Sequence, residues 1–344
     1  GAYTNFGSSK SVNVAIGYFS GVNQGINSIA IGKESGQSGK DNCVSIGYQA
    51  GANSQGTAAT AIGFQAGFKY QGDGAFALGF QCGAQSQGNG ATAIGNTAGY
   101  TFQGTGAVAL GLSCGFDSQG QFSTAISGGA GQYGQGQYSV AIGNYAGRNT
   151  QGVESIAIGN NTSYTNQGAY CIAIGSNAGA STQGTGAIAL GYYTGYSAQH
   201  QNAIGLGLYS GYIQQGDNGI ALGTRSGQYS QGSNAIAIGQ YAGQYSQGAN
   251  SIALGYNAGV TNQTAGSICL NASGSVLNPT QAGLFVAPVR NAVGTNILTY
   301  NTSSNEISQS NALSFDSGSN PIDSSGNLFW KAAYASLYLT TNQN

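Results

Sequence analysis

The sequence predicts an all-β parallel β-solenoid of about 17 coils with a 16-residue repeat, and three observations carry that prediction. A glycine follows an apolar pair at Gly47, Gly63, Gly79, Gly95 and Gly111 and onward to Gly255 in steps of sixteen, with Ser127 the one substitution. A second glycine comes four residues later, from Gly51 to Gly259, broken only by Ser163; a glutamine comes four residues beyond that, from Gln55 to Gln263, without exception. The third observation is the triplet before the first glycine, such as Ile236-Ala237-Ile238 or Val108-Ala109-Leu110, whose alternation of large and small residues has the period of a β-strand. A register this strict gives every copy the same place on a stacked coil, because a slip of one residue would turn inside residues outward.

Taken in order, residues 1–13 carry no repeat phase and read as a lead-in or cap. The repeat enters at Val14-Ala15-Ile16-Gly17 and runs to Ile268-Cys269-Leu270, so residues 14–270 are the expected β-roll. Its first two coils are fifteen residues long, Gly17 to Gly32 to Gly47, as terminal repeats often differ. Beyond it, Gly283 to Arg290 and Asn296 to Asn301 read as two short strands around a turn, which makes 271–310 a C-terminal strand pair. Residues 311–344 are a Ser/Asn/Gly-rich linker followed by a segment with helical spacing at Trp330, Tyr334 and Leu337. The chain opens with Gly1 and contains no methionine, which predicts a processed or trimmed start.

Within a coil, the outer pair of each triplet is large and apolar, or threonine at Thr60, Thr92 and Thr124, and is expected to fill the inside. The middle column, at Ala61, Ala93, Ala109, Ala141, Ala157, Ala173, Ala189, Ala221, Ala237 and Ala253, is uniformly small. That predicts a second surface packed closely against it, namely sister chains around a symmetry axis. The glutamines, among them Gln55, Gln87, Gln119, Gln151, Gln183, Gln215 and Gln247, can hydrogen-bond to one another at strand spacing as an amide ladder. They can equally satisfy turn backbone. On either account Gln183→Ala should lower thermal stability mildly. Turn-region aromatics, with Tyr145, Tyr193, Tyr196, Tyr209, Tyr212 and Tyr241 as candidates for surface binding, are expected to form ridges that bind partners or shield neighbouring turns.

Composition excludes several classes. Only 5% of residues are charged and the net charge is -1, so no basic patch favours nucleic acid. No apolar run is long enough to span a bilayer, so no direct membrane insertion is expected. The five cysteines, Cys43, Cys82, Cys114, Cys171 and Cys269, take small-residue positions and read as buried thiols. The single histidine, His200, has no obvious partner, and the nine carboxylates are scattered, so neither a catalytic pair nor a metal cluster is expected, and no cofactor. An ice-binding array of outward threonines is disfavoured because Thr60, Thr92 and Thr124 fall in the column assigned to the interior.

The segments Ser155-Ile156-Ala157-Ile158-Gly159 and Ser251-Ile252-Ala253-Leu254-Gly255 resemble the head repeat of trimeric autotransporter adhesins, the YadA-like β-roll, over roughly residues 14–270. The longer form Ala-Ile-Gly-x-x-Ala-Gly-x-x-x-Gln-Gly is similar to repeats in fibre proteins of large DNA viruses and phages. The resemblance implies a left-handed roll, a homotrimer with one sheet of each chain facing the threefold axis, and an extracellular or virion-surface location. Two functions then stand: a structural, non-enzymatic fibre that forms a rigid rod, or an adhesin head that grips a host-surface glycan or protein receptor through its aromatic ridges.

Overall fold

The computed structural model describes residues 12–289, 297–301 and 303–310. The lead-in over residues 1–11, the linker at 311–327 and the helical spacing around Trp330 lie outside the described residues. The chain divides after Pro288 into two units.

The first unit is a parallel β-solenoid of about 17 turns, and no helix occurs among the described residues. Eighteen short strands, one per coil from Val14–Ile16 to Gly283–Ala287, stack in a single sheet. Register follows the repeat: Ile156, Ala157 and Ile158 sit against Ile172, Ala173 and Ile174 of the next coil. On the opposite side of each coil, three-residue strands ending in the glutamine form a second sheet, eight-stranded from Asp117–Gln119 to Tyr229–Gln231. Bridges between Gln71, Gln87, Gln103 and Gln119 connect it to the pair Asn53–Gln55 and Lys69–Gln71.

The assignment of strand faces requires a correction. Ala61, Ala93, Ala109, Ala141, Ala157, Ala173, Ala189, Ala221, Ala237 and Ala253 are each 0% exposed within the single chain, so they point into the coil and cannot meet a sister chain. The flanking residues, expected inside, face outward: Ile204, Leu206, Leu222 and Leu254 are all exposed. The cause is the width of the coil. Its interior holds only small residues from three columns, Ala235, Ala237 and Ala242 in one copy, together with Gln247 from the facing strand. Two isoleucines per coil have no room there. Thr60, Thr92 and Thr124 turn outward with their column, half-buried. They alternate with Phe76 and Val108, so they form no continuous threonine array.

This geometry reverses the expected effect of enlarging an alanine. Ala157 packs in a buried cluster with Ala141 and Ala146. Ala157→Leu forces extra methylenes into that closed space and should destabilise the chain's own fold by about 1–3 kcal/mol. Chemical denaturation checks it; a variant that loses association at unchanged denaturation midpoint would contradict the placement.

The glutamine is the polar spine of the interior. Gln183 Nε2 donates to the carbonyls of Ile172 at 3.2 Å and Ala187 at 3.1 Å, tying both sides of its turn. It also reaches Gln199 Oε1 at 3.1 Å, while Gln167 Nε2 reaches Gln183 Oε1 at 3.1 Å. The run continues from Gln199 to Gln215, and similar links join Gln71 to Gln87, Gln103 to Gln119 and Gln231 to Gln247. The ladder is interrupted. Gln55 Oε1 accepts from Ser45 Oγ, and Gln151 bonds backbone alone through Val140 and Ser155. Both uses of the amide occur together, and backbone satisfaction is the more regular one.

The second glycine of the repeat exists for this glutamine. A β-carbon at Gly195 would lie 2.7 Å from Gln199 Oε1, and one at Gly147 would lie 2.8 Å from Gln151 Oε1. The Gly-x-x-x-Gln spacing is therefore one packing unit. Ser163, the exception, keeps the left-handed φ of 46° at the cost of a buried hydroxyl without a partner. Left-handed backbone also recurs at non-glycine positions, as at Tyr241, Ser246 and Asn250 in one coil.

All five cysteines are free and buried in this interior. Burial pushes the Cys82 and Cys114 thiols up to about 12, which leaves them protonated and inert at neutral pH.

The C-terminal strands pair differently from the expectation. Gly283–Ala287 pairs in parallel with Ser267–Asn271, with Leu284 against Ile268, and so adds a further rung to the first sheet. In the second unit, Ile297–Asn301 pairs antiparallel with Glu306–Ser310. The strand at Gly283 keeps the sixteen-residue offset although the glycine and glutamine columns have ended, and continued backbone pairing outweighs the local turn signal.

Candidate functional site

The turn that follows the first glycine carries three surface columns: the two residues after that glycine, and the residue after the second glycine. The middle one of these takes left-handed backbone, with φ of 54° at both Tyr193 and Tyr209. Because the coils stack in register, identical side chains in one column fall into ring-stacking range. Tyr193 and Tyr209 stack at 5.4 Å and 14°, and Tyr196 and Tyr212 at 5.2 Å and 24°. Edge contacts link the columns, Tyr209 to Tyr212 at 5.3 Å and Tyr193 to Tyr212 at 6.0 Å.

Four of the six tyrosines singled out from sequence thus form one cluster. Tyr145 belongs to another group, with Tyr164 edge-on at 6.2 Å and the Arg148 guanidinium 4.9 Å from its ring centre. Tyr241 lies apart, beside Tyr256 at 6.1 Å and Arg225 at 5.8 Å. The cluster also takes in residues that column reasoning passed over. Tyr229 meets Tyr212 at 5.8 Å and stacks on Tyr245 at 5.4 Å and 5°. Tyr229 starts the last strand of the second sheet and Tyr245 bridges to it, both two residues after the second glycine; the sequence signal was their sixteen-residue spacing.

Electrostatically the ridge is neutral. Partial burial, and then the neighbouring phenols Tyr193 and Tyr209, raise the Tyr192 hydroxyl above the ordinary phenol range. Burial followed by the surrounding tyrosines does the same at Tyr212. These hydroxyls stay protonated at physiological pH and present donors along with apolar faces.

His200 does have a neighbour, Asp217 of the next coil, with Nδ1 and Oδ1 3.8 Å apart. Both are more than half exposed, so the pair contributes little. No group of three or more His, Cys, Asp or Glu able to hold a metal occurs among the described residues. No helix among them is long and apolar enough to cross a membrane.

The family model described as the YadA head domain repeat matches residues 14–35, 168–194 and 246–262. Neither a curated protein nor a solved structure matches the chain. The matched segments span the first coil, two coils in the middle and one near the end of the same continuous sheet. Within the in-register parallel solenoid, these segments carry the YadA head domain repeat.

Proposed function

We propose that the chain is a structural fibre protein of an extracellular or virion surface, assembling as a homotrimeric left-handed rod. The observation that carries this reading is the outward apolar stripe. Two columns, mostly Val, Ile, Leu and Phe with Thr60, Thr92 and Thr124 interspersed in one of them, run side by side along the first sheet, from Val14 and Ile16 to Leu254 and Ile268. At about 4.8 Å per coil, the stripe is roughly 80 Å long. Apolar surface on that scale exceeds what monomers leave in water. A second copy suits it best, since the stripe has the same period and the same shape on every chain, and YadA-like heads are trimeric in their family.

The test is native mass with the Ile158→Asp substitution. Ile158 is half-buried in the middle of the stripe. We expect the wild-type chain to run as a trimer and the aspartate variant to dissociate at least tenfold more readily, with its circular dichroism retained. A folded wild-type monomer at micromolar concentration would refute the assembly.

A second reading, an adhesin head for a host-surface glycan or protein receptor, is favoured by the Tyr193, Tyr196, Tyr209 and Tyr212 cluster. Clustered aromatics with polar tips are typical of recognition surfaces. Binding of the assembled chain to cells distinguishes it from a purely mechanical rod.

A further inference from the structure

The column following the second glycine reads Arg148, Tyr164, Ala180, Tyr196, Tyr212 in successive coils. Four of these five carry a flat group, and Ala180 is a missing rung. Tyr164 is held from the preceding coil by Arg148, whose guanidinium donates to the Tyr164 hydroxyl and lies 5.2 Å from its ring centre. Tyr196 has one face taken by Tyr212 at 5.2 Å. The free faces of Tyr164 and Tyr196 lie two coils apart, about 10 Å at strand spacing. A ring placed midway would sit about 5 Å from each. That matches the filled rungs, where Tyr100 lies 5.1 Å from Phe116.

The gap is an open groove on the surface. Tyr164, Ala180 and Tyr196 line an open space of about 500 Å³, with Tyr145 at its margin. Its remaining lining is polar and uncharged: Asn161 and Asn177 on one side, Thr165 and Ser181 on the other. Asn177 Nδ2 donates to Ser176 Oγ at 3.1 Å, which leaves its carbonyl oxygen open. Among the described residues, the Asn161 amide and the Ser181 hydroxyl make no side-chain hydrogen bond.

We propose that this missing rung is a binding slot for a neutral pyranose ring of a glycan, a proposal that rests on the adhesin reading and narrows it to one site. A pyranose has apolar C–H faces for the two tyrosines and a rim of hydroxyls for the amides and hydroxyls around them. An aromatic side chain would stack as well but would leave the polar rim unpaired on desolvation. The absence of any charged lining residue disfavours sialic acids, uronic acids and sulfated sugars.

The test fills the slot. Ala180→Tyr supplies the side chain that the coils on either side already carry at this position, so the fold has a place for it. The assembled chain is screened on an array of neutral β-linked glucose, galactose and N-acetylglucosamine oligosaccharides, and the strongest is titrated by tyrosine fluorescence. We expect Ala180→Tyr and Tyr196→Ala each to weaken binding about tenfold or more. Ala84→Tyr, which fills the similar gap between Phe68 and Tyr100, should leave it within about twofold. Retention of no neutral glycan, preference for charged sugars, or equal effects of the two filling substitutions would overturn the slot. Glycan binding lost in Tyr209→Ala but kept in Ala180→Tyr overturns the slot while sparing the ridge; cell binding without glycan binding does the same.

Discussion

Gln183→Leu is expected to lower unfolding stability by about 3 kcal/mol or more, although leucine nearly matches glutamine in volume. The side chain is 2% exposed and joins four partners: the carbonyls of Ile172 and Ala187, and the amides of Gln167 and Gln199. Leucine leaves the Gln167 donor and the Gln199 acceptor facing an apolar group, in an interior that water does not reach. Each such orphan costs about 1–3 kcal/mol, whereas the bond itself contributes about 1. The sequence predicts an amide ladder or turn-backbone bonds and only a mild loss for Gln183→Ala; burial of the amide makes its removal severe. Urea denaturation with native-state hydrogen exchange provides the measurement. A loss below about 1 kcal/mol would mean that the neighbours re-pair and that the spine is dispensable.

Gly175→Ala is the second large effect, again about 3 kcal/mol or more. Its φ is +125°, a conformation L-residues rarely adopt, and a β-carbon there would lie 2.5 Å from the carbonyl oxygen of Gly191 and 2.7 Å from its carbon. The obstruction is backbone of the next coil, and that coil is held by the one after it, so relief requires prying the stack apart. Gly90 offers the comparison: its φ is +63° but nothing lies within 4 Å of a β-carbon. Gly90→Ala should cost only about 1 kcal/mol, the ordinary left-handed penalty. Ser127 shows how the column accommodates a side chain. Its φ falls to 94°, and Gly128 and Gly129 follow it. Thermal melts of the two alanine variants side by side would settle the point; equal melting temperatures would rule out stacking contact as the reason for the glycine.

Much of the fold was readable in the chain. The sixteen-residue spacing of Gly47, Gly51 and Gln55 located nearly every strand of the first sheet, and period-two alternation identified Ile156–Ile158 as a strand with two unlike faces. The aromatic columns were readable too, since Tyr193 and Tyr209 can meet only if successive coils share a register. Other features were hidden by their distance from the pattern. Gly283–Ala287 was given the wrong partner because its repeat glycine and glutamine are missing, though Leu284 still stands sixteen residues after Ile268. Tyr229 and Tyr245 were missed as members of the ridge because they pair on the second-sheet side of the coil instead of lying in the turn. The slot at Ala180 was invisible for a related reason: an alanine is informative only when its neighbours above and below are known to be rings.

Period, register and the identity of the recurring turns come from the order of residues alone, because backbone pairing between identical copies admits a single alignment. Which side of the strand is inside does not. Alternation of Ile and Ala marks two faces equally well whichever way they turn, and a column of small residues signals tight space without naming what encloses it. The cross-section of the coil decides, since a turn of sixteen residues leaves room for alanines and one glutamine and sends the isoleucines outward.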